Sequence, residues 1–147
     1  MRVDGPHLTG TRLAAAFAAG LSLSGAVATA AEAERPPLRE NAHIYNSLFA
    51  VAVGDEIRKN CPSISARMFR VWRGARELEA YARAEGYTEE EVKTFLRSKK
   101  ERARMRKLRD AYLKAHGVVA GDAQSYCRLG REEIARNTLT GSLLREH

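Results

Sequence analysis

Side chains able to do chemistry are few and scattered in this sequence. Beyond residue 30 the chain carries only His43, His116 and His147, and none of its serines sits in a GxSxG or SxxK run. Hydrolysis by a nucleophile needs a base beside it and a third group to orient that base. No spacing here suggests such a trio, and the expectation is that the protein is not an enzyme. Carboxylates cluster at Asp55-Glu56 and at Glu89-Glu90-Glu91. The triplet is explained by position: Thr88 with Glu91 three residues later makes a capping box, and acidic side chains are favoured at a helix N-terminus. Cys61 and Cys127 with His43 or His116 lack a close ligand pair such as CxxC or HxxxH, so neither a metal nor another cofactor is expected.

Asp55 is less easily explained. The helical face that holds Ile44, Leu48 and Val51 continues through Asp55 and Arg58, where apolar side chains would be expected. Three residues apart, the two can pair with each other. They read as a structural ion pair, as a polar patch that meets a partner or small ligand, or, least of all, as a catalytic carboxylate.

Two further clusters point to binding. Phe69 lies roughly 140° and Trp72 roughly 80° from the Ile64, Met68 and Val71 face at 3.6 residues per turn. Arg70, Arg73 and Arg76 interleave with them, and aromatic and arginine side chains together make up binding hot spots. The stretch 97–109 holds eight basic residues, Lys99, Lys100, Arg104 and Lys107 among them, against the single acid Glu101. Such a helix is a solvated face, a contact for an anionic lipid, or a match for an acidic protein. In a cytoplasmic protein it would suggest nucleic acid; export removes that partner.

The elements that must position these residues follow from the ends and the periodicity. Arg2 and Arg12 flank a start that leads into the apolar run Leu13 to Leu23, and Ala28-Thr29-Ala30 is a small-x-small cleavage site. Residues 1–30 are therefore expected to be a cleavable signal peptide, with the product in the periplasm. Removing them from 147 leaves 117 residues, enough for one domain, with 23 basic against 17 acidic side chains. The net charge of +6 favours an acidic partner. Exported thiols usually pair, so Cys61 and Cys127 are expected to form a disulfide.

Residues 31–40, with Pro36-Pro37, read as an extended, mobile leader, and 41–147 as a single helical domain. A first helix runs from Asn41 to the stop at Pro62. Ser63 or Ser65 then caps a second, which carries Ile64, Met68 and Val71 on its core face and ends at Gly86. A third starts at Thr88 with Tyr87 and Val92 as a hydrophobic staple, breaks or bends near Ser98 and resumes to Gly117. Val118 and Val119 plug the core, Asp122 caps a last helix, and 138–147 form a turn and tail. No segment alternates with period two, so the fold class is all-α: a small bundle of four to five helices with one disulfide.

The run from Asp55 to Met68, with Gly117-Val118-Val119, Gly121-Asp122, Ser125-Tyr126-Cys127 and Glu133-Ile134-Ala135, resembles an uncharacterised family of short exported alphaproteobacterial proteins. That resemblance covers nearly all the chain after the signal peptide. It implies a periplasmic helical protein with two cysteines and supplies no catalytic residues. Together these readings lead to a binding or accessory protein that docks on a partner such as the periplasmic side of a membrane complex. The surface would be Phe69 and Trp72 with the basic helix. The alternative is a ligand-binding or inhibitor module with a pocket near Asp55 and Arg58.

Overall fold

The computed structural model describes residues 35–147. Residues 1–34, which include the stretch expected to be a signal peptide and the start of the expected leader, lie outside the described residues.

Helix α1, Ala42–Asn60, begins where the Asn41 side chain accepts a hydrogen bond from Ile44 N at 3.1 Å, and it ends at Cys61-Pro62. Its apolar residues cover two faces, and the structure uses both. Val53 and Ile57 enter one core cluster with Leu129 and Leu144, while Ile44 enters another with Leu38, Ala82 and Tyr87. Helix α1 is thus the central element of the fold.

After Pro62 the chain departs from the sequence reading. Ile64–Ala66 form strand β1 rather than the first turn of a helix, and α2 spans Met68–Ala84 with Arg67 at its N-cap. The chain's end supplies the partner strand β2, Leu144–Glu146, antiparallel with Ile64 opposite Glu146 and Ala66 opposite Leu144. Arg67 N donates to Leu143 O at 2.7 Å and His147 N to Ser63 O at 3.0 Å, extending the ladder at both ends. Residues 138–147, read as a turn and tail, instead supply a short helix and this strand, and Leu144 is fully buried. A three-residue strand is too short to show alternation, and its partner lies about 80 residues away.

Neither Ser63 nor Ser65 caps a helix, but the other local signals hold where they were expected. Gly86 adopts φ +86° after α2. Thr88 and Glu91 form the reciprocal capping box of α3, Glu89–Arg97, and Tyr87 packs in one cluster with Val92. Ser98 ends α3 and caps α4, Lys99–Ala115, accepting from Glu101 N at 3.3 Å. Gly117, at φ +72°, stops α4, and Asp122 caps α5, Ala123–Ala135. A short α6, Leu139–Ser142, follows under a Thr138 cap. The domain is mainly helical, as expected.

Cys61 and Cys127 are bonded, with 5.0 Å between their Cα atoms, and tie the end of α1 to α5 inside the core. Val118 packs against this core as expected, but Val119 is exposed and plugs nothing. Residues 36–40, read as the end of a mobile leader, are held: Leu38 is buried and Tyr87 donates its hydroxyl to Pro36 O at 2.6 Å.

Candidate functional site

Helix α2 buries only Ala82 fully and leaves a large surface to solvent. Met68, Phe69 and Trp72 are 66%, 64% and 58% exposed. For Phe69 and Trp72 this follows from the helical geometry, since Val71, Leu78 and Ala82 face inward. Met68 was expected on the core face with Val71. It instead borders a depression of about 110 Å³ without filling it, because the walls there include the small residues Gly54 and Ala66.

The aromatic and arginine side chains are interleaved in space as they are in sequence. The Phe69 and Trp72 rings lie 6.3 Å apart. The Arg73 guanidinium carbon stands 4.8 Å from the Phe69 centroid, and that of Arg76 stands 5.6 Å from the Trp72 centroid. Arg70 donates to Ser142 O at 3.2 Å. Among the described residues, none of these three arginines has a carboxylate within ion-pair distance. Among the described residues their positive charge is met by ring faces and one backbone carbonyl.

Asp55 and Arg58 pair at 2.5 Å, and Lys59 joins the same carboxylate. Burial raises the Asp55 pKa, but hydrogen bonds from Lys59 and Arg58 outweigh it and hold the carboxyl below its usual value. Asp55 and Arg58 side chains are 35% and 43% exposed, so the pair contributes little to stability by itself. Its location is more informative. Asp55 and Arg58 border the same depression as Met68 and Val71. The polar patch, read from sequence as a rival site, thus lies beside the first turn of the helix that carries Phe69 and Trp72, which do not themselves border the depression.

The basic helix forms a separate patch. Lys99, Lys100, Arg104 and Lys107 are exposed along α4; Arg104 stands 3.9 Å from Glu101. Both α2 and α4 pack on α1, and the structure does not bring the basic side chains against Phe69 and Trp72. Arg109 turns back from this patch to pair with Glu56 at 2.8 Å.

Sequence reasoning missed an apolar cavity of about 320 Å³ between α1, α2 and α3 that Leu48, Leu78, Phe95 and Leu96 help to line. Val92, Phe95 and Leu96 read as an ordinary core stripe. Yet no residue of α3 is fully buried, and only the tertiary arrangement of α1, α2 and α3 reveals the opening between them. Among the described residues no group of three or more His, Cys, Asp or Glu side chains is placed to hold a metal ion. No helix there is long and apolar enough to cross a membrane.

The model of a family of unknown function, DUF5333, matches residues 36–145, and the chain belongs to that family. No curated protein and no solved structure matches it.

Proposed function

We propose that this member of a family of unknown function is an exported, non-enzymatic accessory protein that docks on an acidic protein surface. The contact would be the N-terminal half of α2. One observation carries the reading: three neighbouring large apolar side chains stand exposed on one helix, with two arginines stacked over the rings and, among the described residues, no carboxylate within ion-pair distance of them. Aromatic anchors flanked by arginine are what dominates binding energy at protein interfaces. The neighbouring depression beside Asp55 and Arg58 is sized for a single side chain of the partner rather than for a free ligand. Export to the periplasm is supported by the hydrophobic run Leu13 to Leu23 with its Ala28-Thr29-Ala30 site, and the disulfide is consistent with an oxidising compartment. A complex at the periplasmic side of the inner membrane is the natural place for such a partner.

The test is recovery of a stoichiometric partner from solubilised membranes with the tagged protein, set against the double variant Phe69→Ala, Arg73→Glu. The variant should lose the partner while its thermal transition stays within a few degrees of the wild type. A partner retained by the variant sinks the assignment of this face.

A further inference from the structure

We infer that the cavity between α1, α2 and α3 is a binding site for a single-chain amphiphile, its alkyl tail in the cavity and its anionic head at Arg102. This site is independent of the docking face on α2.

The lining decides the tail. Ile44 and Leu48 from α1, Leu78 from α2, and Val92, Phe95 and Leu96 from α3 surround about 320 Å³. That volume is at the lower end for ligand pockets, suited to one slender chain. Its ionic groups at the rim are already matched on their own helices: Arg83 with Glu79 at 3.4 Å, and Lys93 with Glu89. Nothing at this end calls for a polar or charged ligand. The apolar face of α3 meanwhile remains incompletely covered, with Leu96 48% exposed.

The asymmetry of the surroundings decides the head. Across Leu48, Phe95 and Leu96 the cavity adjoins a second depression of about 160 Å³, bordered also by Met105, Glu101 and Arg102. Arg102 donates to the Arg97 carbonyl at 3.2 Å and has no carboxylate within ion-pair distance among the described residues. Glu101, on the same wall, is nine-tenths buried and its charge is answered by Arg39 at 3.5 Å and Arg104 at 3.9 Å. Its Oε2 nevertheless accepts no hydrogen bond. With Glu101 held by Arg39 and Arg104, the Arg102 guanidinium, which no carboxylate pairs among the described residues, is the cationic end of an otherwise apolar trough. An anionic head accepts from the guanidinium while the chain lies over Leu96 into the cavity.

Calorimetric titration of the purified protein with octanoate, decanoate and dodecanoate, all below their micellar concentrations, tests this. Binding should be one to one, with affinity rising about fourfold per added methylene. Arg102→Gln, at an exposed position, should weaken dodecanoate about tenfold while leaving the weaker binding of uncharged dodecanol unchanged. Ala75→Trp, whose ring would occupy the cavity, should abolish both. If that variant folds poorly, Arg102→Gln alone decides the head and the chain-length series decides the tail. No binding, affinity indifferent to chain length, or dodecyltrimethylammonium bound as tightly as dodecanoate would each overturn the inference.

Discussion

Tyr112 on α4 donates its hydroxyl to Glu133 on α5 across 2.6 Å. Glu133 is 1% exposed and also accepts from Thr138 and from Arg136 at 3.2 Å. A carboxylate taken this far from water persists only because donors surround it. Three elements, α4, α5 and the approach to α6, are thereby fastened at one charge.

Tyr112→Phe should therefore cost roughly 1–3 kcal/mol of stability at neutral pH, since it withdraws one donor from a buried carboxylate. Burial, and then the hydrogen bond to Glu133, push the Tyr112 hydroxyl from 10.0 up to about 12. A folded value above the unfolded one means that this stabilisation is complete below pH 10 and disappears as pH rises toward 12. Urea unfolding at pH 7, 9 and 11 checks it: the gap between wild type and variant should hold at the first two and narrow at the third.

Glu91 titrates in the opposite sense. Hydrogen bonds from Arg35 first, then from the Thr88 backbone and hydroxyl, lower its carboxyl from 4.5 to about 2. The stabilisation is present above pH 4.5 and is lost as pH falls toward 2. Thermal melts should place Glu91→Gln below wild type at pH 7, with the two converging near pH 2. Because the carboxylate is partly exposed, added salt should narrow the gap at pH 7 as well.

Legibility in the sequence tracks the range of the interaction that shapes each element. Thr88 with Glu91, Gly117 and Asp122 are local devices, acting within three or four residues, and each stands where its spacing predicts. Ile64, Leu144 and Val119 are set by partners far along the chain, so a helix start, a tail and a core plug became a strand, its buried partner strand and a solvated loop residue. The candidate site divides in the same way. Exposure of Phe69 and Trp72 follows from the pitch of one helix. The depression beside Asp55 and Arg58, and the cavity beside Leu48 and Phe95, depend on how separate elements meet.

The bond between Cys61 and Cys127 closes a loop of 66 residues. On the chain-entropy model, removing it should cost about 4 kcal/mol. For a domain of this length the melting temperature of Cys61→Ala, Cys127→Ala should fall by roughly 15 °C or more. A drop of only a few degrees in calorimetry would mean that the reduced chain keeps the two segments together by packing alone.

Gly141 on α6 lies against the backbone of α5. A Cβ there would stand 2.6 Å from Ile134 N and closer still to the Glu133 carbonyl, so α6 would have to move. Gly141→Ala should destabilise by about 3 kcal/mol, at the upper end for overpacking. Gly130→Ala meets Ile57 Cγ2 at 2.8 Å and comes closer still to Ile64 Cδ1, and should cost less because a side chain can yield where backbone cannot. Denaturant midpoints for the two variants give the order directly.

The last prediction separates the two basic surfaces by their dependence on salt. Arg73 and Arg76 sit over aromatic rings at the centre of the proposed contact, whereas Lys99, Lys100 and Lys107 lie on α4, packed elsewhere on α1. If an acidic partner docks on α2, Arg76→Glu should raise the dissociation rate strongly, since a central cation is lost together with its stacking on Trp72. Replacing Lys99, Lys100 and Lys107 by glutamine should instead slow association, by a factor that shrinks between 50 and about 300 mM salt as the Debye length shortens. Both sets should leave the thermal transition nearly unchanged, because none of these side chains is buried. Surface plasmon resonance with the purified partner resolves the rates. An off-rate governed by the α4 lysines and indifferent to Arg76 would move the contact from α2 to the basic helix.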